Sequence, residues 1–222
     1  MAEMTSASPA GMSREQEEQA FYHEAALNTS WTGTRLMIGV LTSGLGGFVF
    51  AFFYLRSLNS HGNWYPSGFK GPNGALGAII VALIVVSAVL QVLGLQQIKG
   101  GNKSLWSRLA IVALVLGVVA ALIQYIELAT LSFQPGDNGF ASVFVGASPV
   151  VATLVLGTMI WLEILVARSR QIPDISFTEQ PPTFTEAAEV QRFQASLSAF
   201  TLFWGFLAIA AVVLWVLFYL VH

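Results

Sequence analysis

Five stretches of this chain run apolar long enough to cross a membrane, and short polar segments punctuate them. The spans fall at about 36–55, 74–98, 109–133, 139–166 and 194–221. Each approaches or exceeds the ~20 residues needed to traverse a ~30 Å hydrocarbon core. Helix is the state open to them, because backbone in lipid must satisfy its own hydrogen bonds and the alternation of a barrel strand is missing. The expected fold class is therefore all-α, a polytopic bundle of five transmembrane helices in a membrane domain at 35–222. Residues 1–34 are polar and acidic, with "SREQEEQ" at 13–19. They read as a cytoplasmic segment that can form an amphipathic surface helix. A cleaved signal peptide is not expected, because the start lacks a basic n-region and an apolar h-region.

Composition agrees with the pattern: 55% of the 222 residues are hydrophobic and 10% charged, and the mean hydropathy is +0.68. Five spans place the two termini on opposite sides. One side then collects Arg14, Arg35, Lys99, Lys103, Arg108, Arg168, Arg170 and Arg192, while the other holds Arg56 and Lys70. Basic residues near span ends stay in the cytoplasm, so the N-terminus is expected inside and the C-terminus outside.

The connecting segments carry their own signals. "NSHGNWYPSGFKGPNG" at 59–74 is rich in Gly, Pro and Asn and holds Trp64 and Tyr65, which suit the external interface. "KGGNKSLWSR" at 99–108 reads as a short basic turn, and "QPGDNG" at 134–139 as a tight external one. Between Arg168 and Arg192 a Pro pair and the capping-box spacing of Thr183 and Glu186 predict an extended link, then the start of the last helix.

Ligand inventory excludes several chemistries. The chain has no cysteine, which removes iron–sulfur clusters, c-type haem attachment, thiolate copper and disulfides. His23, His61 and His222 lie outside the spans or at their ends, so no metal or haem site is expected in this chain. Nucleic acid is a poor partner as well, since the basic residues are dispersed and have acidic neighbours.

Ionisable groups in spans are expensive and point to a pathway or a partner. Glu163 falls near the inner end of the fourth span, within reach of Arg168 or the interface. Glu127 sits near the outer end of the third, in "LIQYIELATLSF" at 122–133. Gln124 lies three residues before it and shares its helix face. Two readings stand for this pair: a solvated interfacial position, or a hydrogen-bonding face turned toward a neighbouring helix or lipid headgroup. In the first span Gly39, Ser43, Gly47 and Ala51 recur every four residues, a stripe that lets another backbone approach, from within the chain or from a partner. Ser87 and Gln91 in the second span also read as packing devices, and Pro149 should bend the fourth.

The order of these motifs resembles subunit III of the haem–copper oxidases in its short five-span bacterial form, from about residue 31 to 219. "FAFFYLR" at 50–56, ending in Arg56, and "GNWYP" at 62–66 are similar to that family's aromatic span end and Trp-Pro loop. "LIQYIE" resembles its Gln-x-x-Glu pattern at Gln124 and Glu127. "GDNGFASVFV" at 136–145 is similar to its external turn and Ser-x-Phe helix start. Trp204 and Tyr219 stand at matching spacing in the last span. Three polar sites of the family are apolar or small here: the first-span glutamate falls in "GVLTSGLGG", the paired histidines in "VVATL", and Trp-His-Phe becomes "WGF".

The resemblance implies a non-catalytic subunit of a respiratory terminal oxidase in a prokaryotic inner membrane. Such a subunit packs against catalytic subunit I, with subunit II as a further partner, and holds membrane lipid between its helices. Haem and copper would sit in those partners. The family's support of proton delivery is set aside, because the three replaced sites are polar in the family. Gln124, Glu127, Gly39, Ser43, Gly47, Arg56 and Trp204 are the candidate subunit or lipid contacts. The alternatives are a small transporter or channel with Gln124 and Glu127 at its mouth, and an oxidase assembly factor.

Overall fold

A computed structural model describes residues 14–59, 62–177 and 184–221. Helix α1 runs Arg14–Leu58, α2 Gly74–Lys99, α3 Lys103–Ala129, α4 Gly139–Gln171 and α5 Phe184–Trp215, which continues as a π-helical turn at Val216–Leu220. A 3₁₀ turn at Asp174–Phe177 lies between α4 and α5. All five long helices are long and apolar enough to cross a membrane, and the chain is a multi-pass membrane protein. The helix α1 spans 45 residues, about 68 Å at ~1.5 Å per residue, so the acidic segment from Arg14 continues straight into the first span.

Asparagine starts three of the helices. Asn73 accepts from the N–H groups of Ala75 and Leu76 at 3.0 and 3.3 Å, Asn102 from Leu105 at 3.1 Å, and Asn138 from Ala141 at 2.8 Å. Each side chain occupies donors that the first turn leaves unpaired. In the turn before α4, Gln134 N–H donates to Asp137 Oδ2 at 2.7 Å, and Gly136 takes φ +101°, a conformation open to glycine. The capping box expected at Thr183 and Glu186 begins on a residue outside those described, as do His61 and His222.

The bundle is organised around α5, which packs on α1, α2 and α4, while α2 and α3 form the closest pair and α3 also lies along α4. Half of the residues in the apolar stretch of α5 are buried (50%), against 11% in that of α1. Gly117 allows α3 and α4 to touch, since a Cβ there would overlap the Met159 side chain.

Two cores fill the interior. At one end Phe52, Trp64, Phe133, Phe140, Phe144 and Phe218 interlock. The Trp64 ring meets Phe52 at 5.0 Å and Phe140 at 5.9 Å, both edge to face. The tryptophan expected at the interface is therefore buried, because the loop at 62–73 folds inward over the ends of α1 and α4. Ser132 Oγ ties the α3–α4 turn to the same loop through Lys70 O, at 3.3 Å.

The second core holds Trp106, Phe193, Phe200, Phe203 and Trp204 and reaches the other end of the bundle. There Lys103 Nζ pairs with Asp174 Oδ1 at 2.8 Å and also donates to the Ile172 carbonyl. Asp174 is exposed, so that pair contributes little. The burial of Ile172 and Phe177 beneath the α2–α3 turn carries the docking.

Phe140 touches Trp64, Tyr65, Phe69, Phe133, Phe144 and Phe218. Phe140→Ala is expected to lower stability by about 3–5 kcal/mol, the range for emptying an aromatic core position. Thermal unfolding in mild detergent measures it, with the exposed Phe50→Ala as the unchanged control.

Candidate functional site

Glu127 stands two residues before the end of α3, yet it is 3% exposed. Its Oε2 accepts a 2.8 Å hydrogen bond from the Tyr219 hydroxyl, contributed by the π turn that ends the chain's last helix. The backbone N–H of Asn73, where α2 begins, faces the same carboxylate. Helix N-termini carry partial positive charge, so the acid lies against a favourable end of α2. Its second oxygen, Oε1, is buried with no partner among the described residues.

Local backbone geometry places the tyrosine. Val221 N–H bonds to Val216 O at 3.1 Å, five residues back, which widens the last turn. Leu217 and Phe218 are then buried in succession and Tyr219 is half-buried beside them. Room for the phenol ring comes from Gly77 on α2: a Cβ there would lie 2.5 Å from the ring. Three helices thus converge on a single carboxylate.

Gln124 lies one turn before Glu127 and lines a cavity of ≈ 40 Å³ together with Gly77, Ile84, Ser148, Trp215 and Tyr219. The two residues share a face, as their spacing predicts, and that face turns to neighbouring helices of the same chain. Deeper in the bundle Trp204 Nε1 donates to Ser87 Oγ at 3.2 Å, and Ser87 Oγ donates to Ala113 O at 2.7 Å. That relay joins α5, α2 and α3. Gln91, four residues after Ser87, is fully buried with neither amide atom paired among the described residues.

The remaining candidates lie apart. Gly39, Ser43 and Gly47 are exposed on α1, and a Cβ on Gly39 or Gly47 would meet nothing within 4 Å. Arg56 is half-buried in the last turn of α1, where a cation suits the negative end of the helix. Glu163 is exposed and forms no ion pair with Arg168; Lys103–Asp174 is the one ion pair among the described residues. No group of three His, Cys, Asp or Glu side chains that would hold a metal occurs among the described residues.

Sequence reasoning found Gln124 and Glu127 and missed their partners. Tyr219 is 92 positions away along the chain from Glu127, and Gly77 and Trp215 carry no local signature. A carboxylate gripped by a phenol from another helix ties α3 to the end of α5.

The tie has a measurable signature. Tyr219→Phe removes the donor and leaves the acid buried, a loss of about 1–3 kcal/mol. The double variant Glu127→Leu with Tyr219→Phe removes both partners and is expected to unfold at higher temperature than Tyr219→Phe alone, read by thermal melts of the pair and its single variants. In comparisons with protein-family models and with curated proteins, no match to this chain is found.

Proposed function

We propose that the chain is a non-catalytic, subunit III-type component of a respiratory terminal oxidase in a prokaryotic inner membrane, packing against the haem- and copper-bearing subunit I with subunit II nearby. Electron transfer and oxygen reduction belong to those partners; this chain supplies a scaffold. The observation that carries the reading is α1. Its Gly39, Ser43 and Gly47 face is exposed and open, and α1 is the span least covered by its own chain. Small residues at four-residue spacing bring backbones together in lipid, where packing rather than hydrophobicity drives helix association.

Lipid holding has a separate support. An apolar groove of ≈ 440 Å³ runs between α2 and α5, lined by Val85, Ala88, Val92, Gly205, Ile209 and Val212. Its walls match an acyl chain in chemistry. The N-terminus is taken as cytoplasmic from the distribution of basic residues, which puts the Glu127 end of the bundle outside.

Purification of the tagged chain in mild detergent tests the assignment. A stoichiometric partner with a haem spectrum is the expected result, and Gly39→Leu or Gly47→Leu should lose that partner while the chain's own unfolding temperature holds. Recovery of the chain alone overturns the reading, and flux through liposomes carrying the chain alone would assign it to transport instead. Substoichiometric haem would mark an assembly factor.

The chain's lack of cysteine makes its topology easy to probe. Ser67→Cys is expected to react with an impermeant maleimide in intact cells, and Ser104→Cys only after lysis. Both serines are exposed, at opposite ends of the bundle.

A further inference from the structure

Most hydroxyls within the spans are satisfied by their own helix. Thr42 donates to Ile38 O, Thr153 to Pro149 O, Thr158 to Leu154 O and Thr201 to Leu197 O, all at 2.7–2.8 Å. Ser148 is different. It is 4% exposed, and its hydroxyl has no hydrogen-bond partner among the described residues, not even the carbonyl one turn back. The Gln124 amide, half-buried, is equally without one. The indole Nε1 of Trp215 is buried and unpaired too. All three side chains line the same ≈ 40 Å³ cavity between α2, α3, α4 and α5.

An apolar void of this size stays dry, whereas a polar one takes water. A water needs roughly 10–15 Å³ of such space and two to four polar partners. This cavity offers room for about three or four on that scale. Its partners are complementary: the indole N–H donates, the amide both donates and accepts, and the serine hydroxyl does either. Tyr219, whose hydroxyl donates to Glu127, also lines the cavity, and its phenolic oxygen keeps acceptor capacity. The Gln91 amide and Trp106 Nε1, also buried and unpaired among the described residues, do not line this cavity.

We infer that this cavity is a hydrated site, in which one or more internal waters hydrogen-bond Trp215 Nε1, Gln124 and Ser148 and extend the Tyr219–Glu127 pair into a polar network across α3, α4 and α5. The role assigned to Gln124 is then water coordination rather than contact with lipid or a second subunit. The site is independent of whether the chain partners an oxidase.

Water-edited solid-state NMR on the full chain with ¹⁵N-indole tryptophan in lipid bilayers tests it, with Trp215→Phe supplying the assignment. Trp215 Nε1–H is expected to show a water cross-peak at short mixing times. Trp204 Nε1–H, equally enclosed but bonded to Ser87, should show none. Ala211→Leu, which fills the cavity from α5, should abolish the Trp215 cross-peak and leave Trp204 unchanged. If that variant does not fold, Ser148→Val is read in the same way and should weaken the cross-peak at least twofold. Absence of a water cross-peak at Trp215, an acyl-chain cross-peak in its place, or a peak unaltered by filling each overturns the inference.

Discussion

A carboxylate taken out of water must find hydrogen bonds on some other part of the protein, and in lipid the alternative is far worse than at an aqueous surface. Glu127 meets that constraint in part, through the hydroxyl that the last turn of α5 donates to one oxygen, with the start of α2 facing the same carboxylate. The arrangement depends on a glycine that admits the phenol ring and on a π turn that aims it. Around this contact the aromatic core of Phe52, Trp64, Phe140 and Phe218 closes the same end of the bundle. Position of the loop at 62–73, the angle of α5 and the placement of α2 therefore share a common anchor.

The two ends of the molecule are held by different physics. At the Glu127 end, rings meet edge to face and a buried hydrogen bond fixes register, an arrangement insensitive to salt. At the Lys103 end, an exposed ion pair and a cation over Phe177 accompany the docking of an irregular link. Screening weakens the charged part of that contact and leaves the apolar part intact. Between the ends, the Trp204–Ser87–Ala113 relay joins three helices where few other polar groups are available.

Much of the fold was legible in the sequence because lipid imposes it. A run of apolar residues long enough to cross has only a helix to adopt, so the number of spans followed from composition and length. The pairing of Gln124 with Glu127 on a single face followed from helical spacing alone. What escaped prediction was anything decided by meeting between distant segments. Tyr219 and Glu127 are joined through a widened turn that no propensity signals, and Trp64 carries the same aromatic signature whether it lies at an interface or in a core. The small-residue stripe of α1 was readable as a close-approach surface, yet which neighbour approaches is a property of the assembled bundle. Here α5 and α4 pack on other positions of α1, with Leu45 and Phe52 buried and the glycines outward.

The peripheral position of α1 also has a temporal meaning. The α2–α3 hairpin joins neighbours in sequence and can form as soon as it is made, but α1 packs chiefly on α5 and α4. Made before both, α1 must therefore remain in the bilayer with little intrachain support until α5 arrives. Throughout that interval its glycine face, the bulky side chains beside it and the groups it will later cover are all open to other proteins. Membrane insertion thus leaves α1 uncovered within the bilayer before the fold is complete, and the last packing step of the bundle is the one that closes over it.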